Sequence, residues 1–239
     1  MSIVLPIKKV KVTRLNPKRI VIYGKPKVGK STALAGLENN LIVDLENGSD
    51  FIEAIKYKVN NLQELLDLGK EIRNQGNPYK FISIDTVSVL EDMVLPLALK
   101  LYKNTPLGKN FEGDSVLTLP QGAGYMYIRL AFFQVLDFID TLAETVILCG
   151  HTKDAQVNDK GELVLAANID LTGKIKNLLC ASSDAIGYMM RKEGKTILSF
   201  KTSEEVNCGA RPLHLGDKDF IITEVVDGIL TTNWDQIFK

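Results

Sequence analysis

The residues best suited to chemistry begin with GKPKVGKS, Gly24 to Ser31, followed by Thr32. The spacing is G-x-x-x-x-G-K-[ST], between an apolar run (RIVIY) and a segment of helical character. In that setting Gly24, Lys25, Pro26, Lys27, Val28 and Gly29 form a loop whose backbone curls around a phosphate. Loop amides and the positive end of the following helix then point at phosphate oxygens. Lys30 would reach the terminal phosphates as a point charge, and the Ser31 hydroxyl would ligate Mg²⁺.

A nucleotide–Mg²⁺ site also needs a carboxylate from a neighbouring strand. Asp85 ends the run FISID. It can hold Mg²⁺ directly or through water, and it can also cap the next helix. A second apolar run, in LIVDLENGSD, is followed by Asp44, Glu46 and Asp50. Glu46 lies two residues past the strand, where it can polarise a water attacking the γ-phosphate. The same stretch also suits a solvated turn around Asn47-Gly48. His151 closes TVILCGH; it can sense the γ-phosphate or simply be hydrogen-bonded in place.

These residues need strands that end at one pole of a sheet. The pattern predicts strands at Ile20–Tyr23, Leu41–Asp44, Phe81–Asp85 and Thr145–Cys149. It predicts helices from Lys30 to about Glu38, over Asn61–Asn74, from Thr86 or Val87 to Tyr102, over Tyr125–Leu142 and over Leu171–Ser182. Lys103–Gly124, with four glycines and two prolines, reads as a long loop of the kind that is functional or mobile. Hairpins are expected around Asn158–Gly161 and Glu193–Lys195, and the tail from Phe220 is ambiguous. Strand–helix alternation implies an α/β fold: a mostly parallel central sheet, helices on both faces, and antiparallel hairpins at one edge.

Composition agrees with a globular chain. Of 239 residues, 45% are hydrophobic and 24% charged, which excludes disorder, collagen and coiled coil. No apolar run approaches the roughly 18 residues of a membrane helix. The opening MSIVLPIKKVKV has its charges in the wrong order for a secretory signal. Cys149, Cys180 and Cys208 are odd in number and lack CxxC spacing, which points to a reducing cytoplasm. Net charge is zero, yet residues 1–37 hold nine basic side chains and no acid. Residues 1–18 therefore read as a basic arm ahead of a core at 19–239. Lys8, Lys9, Lys11, Arg14, Lys18 and Arg19 are candidates for phosphate contacts of single-stranded DNA. Tyr102, Phe111, Tyr125 and Tyr127 are candidates for base stacking.

The four strand-end motifs together, GKPKVGKS, VDLE (Val43–Glu46), FISIDTVS (Phe81–Ser88) and ILCGHTKD (Ile147–Asp154), resemble the RecA-like core ATPases. They are most similar to phage-encoded RecA-type single-strand annealing and recombination ATPases, a likeness that includes Asp170–Lys195 and spans about residues 18–215. The resemblance implies ATP and Mg²⁺ as cofactors, Glu46 as general base, Asp85 as the metal partner and His151 as γ-phosphate sensor. It implies a RecA-like fold and a homo-oligomer on single-stranded DNA, with DNA loops near 103–124 and 152–170. It also implies partner proteins of the single-strand-binding or recombination kind, and a cytoplasmic location, the host's for a phage protein. A basic residue from a neighbouring subunit often completes such sites, and Lys201 and Arg211 are the candidates. Two other classes remain open: a small-molecule kinase, and an ATP-dependent assembly module with negligible turnover.

Overall fold

The computed structural model describes residues 5, 7–153, 156–157 and 163–239. In chain order the core opens with β1 (Arg19–Gly24), α1 (Lys30–Ala35), β2 (Asn40–Asp44), β3 (Lys56–Lys58), α2 (Leu62–Asn74) and β4 (Phe81–Asp85). It continues with α3 (Val87–Met93), α4 (Leu95–Lys103), α5 (Gly124–Ile139), β5 (Thr145–Lys153), β6 (Gln156–Val157), β7 (Leu163–Leu165) and β8 (Asn168–Ile169). The last part holds α6 (Gly173–Ser182), β9 (Ala185–Lys192), β10 (Lys195–Ser199), β11 (Gly209–Ala210), β12 (Asp219–Val226) and β13 (Ile229–Thr232).

The main sheet runs β13-β12-β10-β9-β1-β5-β4-β2-β3. Along this order from β9 through β1 to β3 neighbouring strands are parallel, β10, β12 and β13 add antiparallel strands at one edge, and the short β11 and β8 pair antiparallel with β9 and β5. This is the α/β architecture expected from the strand–helix alternation, with antiparallel strands at one edge. Parallel strands force buried crossovers, so β1, β2 and β4 are apolar runs buried along their whole length.

The two faces of the sheet are covered differently. Val21, Tyr23, Val43, Ile84 and Leu148 pack under residues of α2 to α6. Ile20, Ile22, Ile42 and Ile147 pack under Ala33 and Leu34 of α1, and under Leu215, Trp234, Ile237 and Phe238. Helices therefore lie on both faces, but among the described residues one face has only α1 and leans on the segment around Leu215 and Trp234–Phe238.

Several boundaries differ from expectation for physical reasons. The helix expected after Asp85 splits at Val94, because Pro96 occupies the first turn of α4 and cannot donate into a continuous helix. The expected loop after Lys103 contains two 3₁₀ turns, Val116–Thr118 and Pro120–Gly122, and buries Val116 and Leu119. The ambiguous tail is a hairpin turned by Asp227 and Gly228, both at positive φ. Glu193 and Gly194 turn the β9–β10 hairpin in the same way. β6 and β7 pair antiparallel as expected, while the turn at 158–161 lies outside the described residues.

Candidate nucleotide-binding and hydrolysis site

Parallel strands deliver their C-terminal ends to one pole. In register, Gly24 is level with His151 and Met189, and Asp85 with Asp44 and Cys149. Every strand-end residue singled out from the sequence except the trans candidates therefore sits at that pole.

The loop Gly24–Thr32 has the glycines its shape demands. Gly29 has φ +107°, and a Cβ there would meet Thr196 Oγ1. A Cβ on Gly24 would lie 2.3 Å from the Met189 carbonyl oxygen, so β9 holds the loop from behind. Lys25, Pro26 and Lys27 are exposed at the rim, and Val28 is buried beneath it. The amides of Lys30, Ser31 and Thr32 open α1 and have no intrahelical acceptor. Lys30 is buried, and its Nζ donates to the carbonyls of Gly24 (3.1 Å) and Lys25 (3.2 Å). Burial pushes its pKa down, while Cys149, Asp85 and Glu46 act in the opposite direction.

Ser31 Oγ donates to Asp85 Oδ2 at 2.5 Å. Burial pushes the Asp85 carboxyl up, Glu46 and Asp44 add to that, and the Ser31 hydrogen bond and Lys30 oppose it. The Asp85–Thr86 peptide is cis. A hydroxyl beside a carboxylate is a hard oxygen pair of the kind Mg²⁺ takes while keeping water and phosphate oxygens as its other ligands. Among the described residues no group of three His, Cys, Asp or Glu forms a metal cage.

Glu46 completes the pole. Its Oε1 accepts from Thr86 Oγ1 (2.8 Å) and lies 2.9 Å from His151 Nε2. With the Nε2–H tautomer His151 donates here, which leaves its buried Nδ1 without a partner among the described residues. Thr86 gave no signal in the sequence beyond its place next to a strand-end carboxylate.

The remaining acidic candidates serve the turn after β2. Asp44 Oδ1 and Oδ2 accept from the amides of Glu46, Gly48 and Ser49 and from Ser49 Oγ. Burial pushes the Asp44 carboxyl up, but the Ser49, Gly48 and Asn47 hydrogen bonds outweigh it and hold the pKa below its ordinary value. Asp50 forms an ion pair with Lys58.

Lys201 and Arg211 are not part of this pole. Lys201 follows the end of β10 that points away from the loop and pairs with Asp219. Arg211 lies near the start of β9 and bonds Asp184 and the Ala181 carbonyl. Of the residues expected to contact DNA, Arg19 is corrected outright. It is 8% exposed and held by Asp140 and Ser182, so it is a core cation. The stacking candidates are corrected in part: Tyr102, Phe111 and Tyr127 pack edge-to-face on one another against the core, and Tyr125 is exposed.

A family profile described as AAA domain matches residues 16–211. The chain belongs to that AAA domain family. The match spans the loop, both strand-end carboxylates and His151, so the chain is a P-loop ATPase domain. No curated protein sequence matches it. Among solved structures, the "Crystal structure of the RadB recombinase" aligns with a TM-score of 0.47 and 11% sequence identity, covering 90% of this chain and 91% of that one. Among the described residues no helix is long and apolar enough to cross a membrane.

Proposed function

We propose that the chain is a RecA-like ATPase of the phage-encoded recombination type, hydrolysing Mg·ATP and acting as a homo-oligomer on single-stranded DNA in recombination or strand annealing. One observation carries the hydrolytic part: the Glu46 carboxylate is held by Thr86 (2.8 Å) and His151 (2.9 Å) at the same strand-end pole as Lys30 and Asp85. Nucleotide would exchange the Gly24 and Lys25 carbonyls on Lys30 for phosphate oxygens. Bound Mg²⁺ supplies charge neutralisation at the phosphates. Ser31 and Asp85 would hold that ion, Glu46 would orient and deprotonate the attacking water, and His151 would link its carboxylate to β5.

The DNA part is supported by the exposed arm, where Lys8, Lys9 and Lys11 remain available beside Arg14 and Lys18. Lys201 and Arg211 lie away from their own loop. Either could complete a neighbour's site only in a head-to-tail assembly, which forms rings or filaments.

The deciding experiment measures ATP hydrolysis with and without single-stranded DNA at low salt, following oligomer size in parallel. Hydrolysis and size are expected to rise together on DNA, and Lys30→Ala is expected to remove nucleotide binding. Hydrolysis that ignores DNA, with no salt-sensitive binding of single strands, removes the DNA part. Phosphate transfer to a nucleoside panel rather than to water replaces the reading with a kinase.

A further inference from the structure

The helix that carries Lys30, Ser31 and Thr32 is held by a residue 201 positions later in the sequence. α1 has six residues, a length of about 9 Å. A helix this short has no stability of its own and takes its position from what it packs on.

Its far end is fixed by three side chains. Trp234, 4% exposed, donates from Nε1 to the Ala33 carbonyl at 2.8 Å. Asn40 Nδ2 donates to the Leu34 carbonyl at 3.0 Å. Thr232 lies so close to Gly36 that a Cβ there would be 2.3 Å from its Oγ1. Trp234 is itself anchored, stacked on Phe238 with centroids 5.8 Å apart, and Phe238 packs on Phe81 of β4 at 4.6 Å. Ala33 is one residue beyond Thr32 and less than one turn beyond Lys30, so its carbonyl lies in the same short helix as the phosphate-binding end.

We propose that Trp234 is a positioning residue for the phosphate-binding loop, acting through α1. The proposal rests on the nucleotide-binding reading of Lys30 and Ser31 given above. The indole N–H fixes the depth of α1 against the sheet, and with it the direction of the first-turn amides and of the Ser31 hydroxyl. As the single tryptophan of the chain, Trp234 also reports on that helix by its fluorescence.

The test has two arms, with ATP binding to the unmodified protein first established by equilibrium dialysis. In the first, Trp emission is followed as Mg·ATP is added. It is expected to change and saturate at the concentration found by dialysis, and to stay constant in Lys30→Ala. Constant emission in wild type at saturating nucleotide overturns the proposal without touching the binding reading; failure of wild type to bind ATP at all overturns both. In the second arm, Trp234→Phe keeps an aromatic ring but loses the N–H. Its KM for ATP is expected to rise about threefold to tenfold, with kcat within about twofold, the worth of one neutral hydrogen bond. Phe238→Leu loosens the same packing but keeps the N–H, and is expected to lower the melting temperature with KM unchanged. An unchanged KM in Trp234→Phe, or an equal rise in both variants, makes Trp234 a packing residue only.

Discussion

Asp44 and Asp85 end neighbouring parallel strands at the same register, each after an apolar run and each nearly buried. Their surroundings drive them apart. Asp44 is enclosed by amides of the turn that follows it and by Ser49, and those donors favour its charged form. Asp85 receives one hydroxyl, from Ser31, and burial favours its neutral form. A carboxylate supplied with donors by its own turn builds structure. One left short of donors holds charge in reserve, and at this pole that charge faces the loop expected to bring a cation. Glu46, two residues past Asp44, is positioned by the turn that Asp44 holds, so the turn-building acid places the proposed base.

The contrast can be broken at three places. Glu46→Gln keeps an acceptor for Thr86 and His151 but cannot take a proton, so kcat for ATP hydrolysis is expected to fall about 10²- to 10⁴-fold. ATP affinity should stay within a few-fold by equilibrium dialysis, and unchanged turnover would mean that another group activates water. Asp85→Asn is expected to lower ATPase activity about 10²-fold through weakened metal binding. Its urea midpoint should not fall, since it removes a buried charge; a clear loss of stability would place Asp85 with Asp44 as a turn-building residue.

Asp44→Asn has the smallest catalytic effect and the clearest stability effect. It replaces an acceptor by an amide among donors, at a cost of about 1–3 kcal/mol in urea unfolding, while turnover per folded molecule changes little. The pH dependence has a definite sign. The folded-state pKa of Asp44 lies below the ordinary 3.8, so its contribution is present above that value and is lost as pH falls through the lowered one. The stability gap between wild type and Asp44→Asn should therefore close in acid. Asp85, with its pKa raised, works in the other direction: burying its charge costs stability above the raised value, and that cost fades as pH falls.

The phosphate-binding loop was legible because its spacing encodes a backbone shape: Gly29 must adopt positive φ, and Lys30 and Ser31 follow at fixed distance. Strand ends were legible because buried parallel strands are apolar throughout. Telling Asp44 from Asp85 was not possible from the runs preceding them; the distinction lies in Ser49, five residues on, and in Ser31, 54 residues back. Arg19 looked available for a DNA phosphate, because its partner Asp140 is 121 residues away. Tyr102, Phe111 and Tyr127 looked available for bases because their mutual packing has no sequence signature. The β12–β13 hairpin does have one, Asp227-Gly228 between apolar residues, yet the tail from Phe220 reads as ambiguous without it.

The sheet order has a consequence for how the molecule is made. β1 lies between β5 and β9, whose residues begin at Thr145 and Ala185, and α1 is closed by Trp234. β1 and the loop after it are thus completed by segments far later in the sequence, through contacts of very long sequence separation. Such contacts slow folding. They also make acquisition of nucleotide affinity a report on the whole chain: a growing chain released before β9 would carry the full loop motif and still lack one wall of its cradle. Any ligand held there would then stabilise the native state by mass action, drawing α1 and the segment around Trp234 into one cooperative unit.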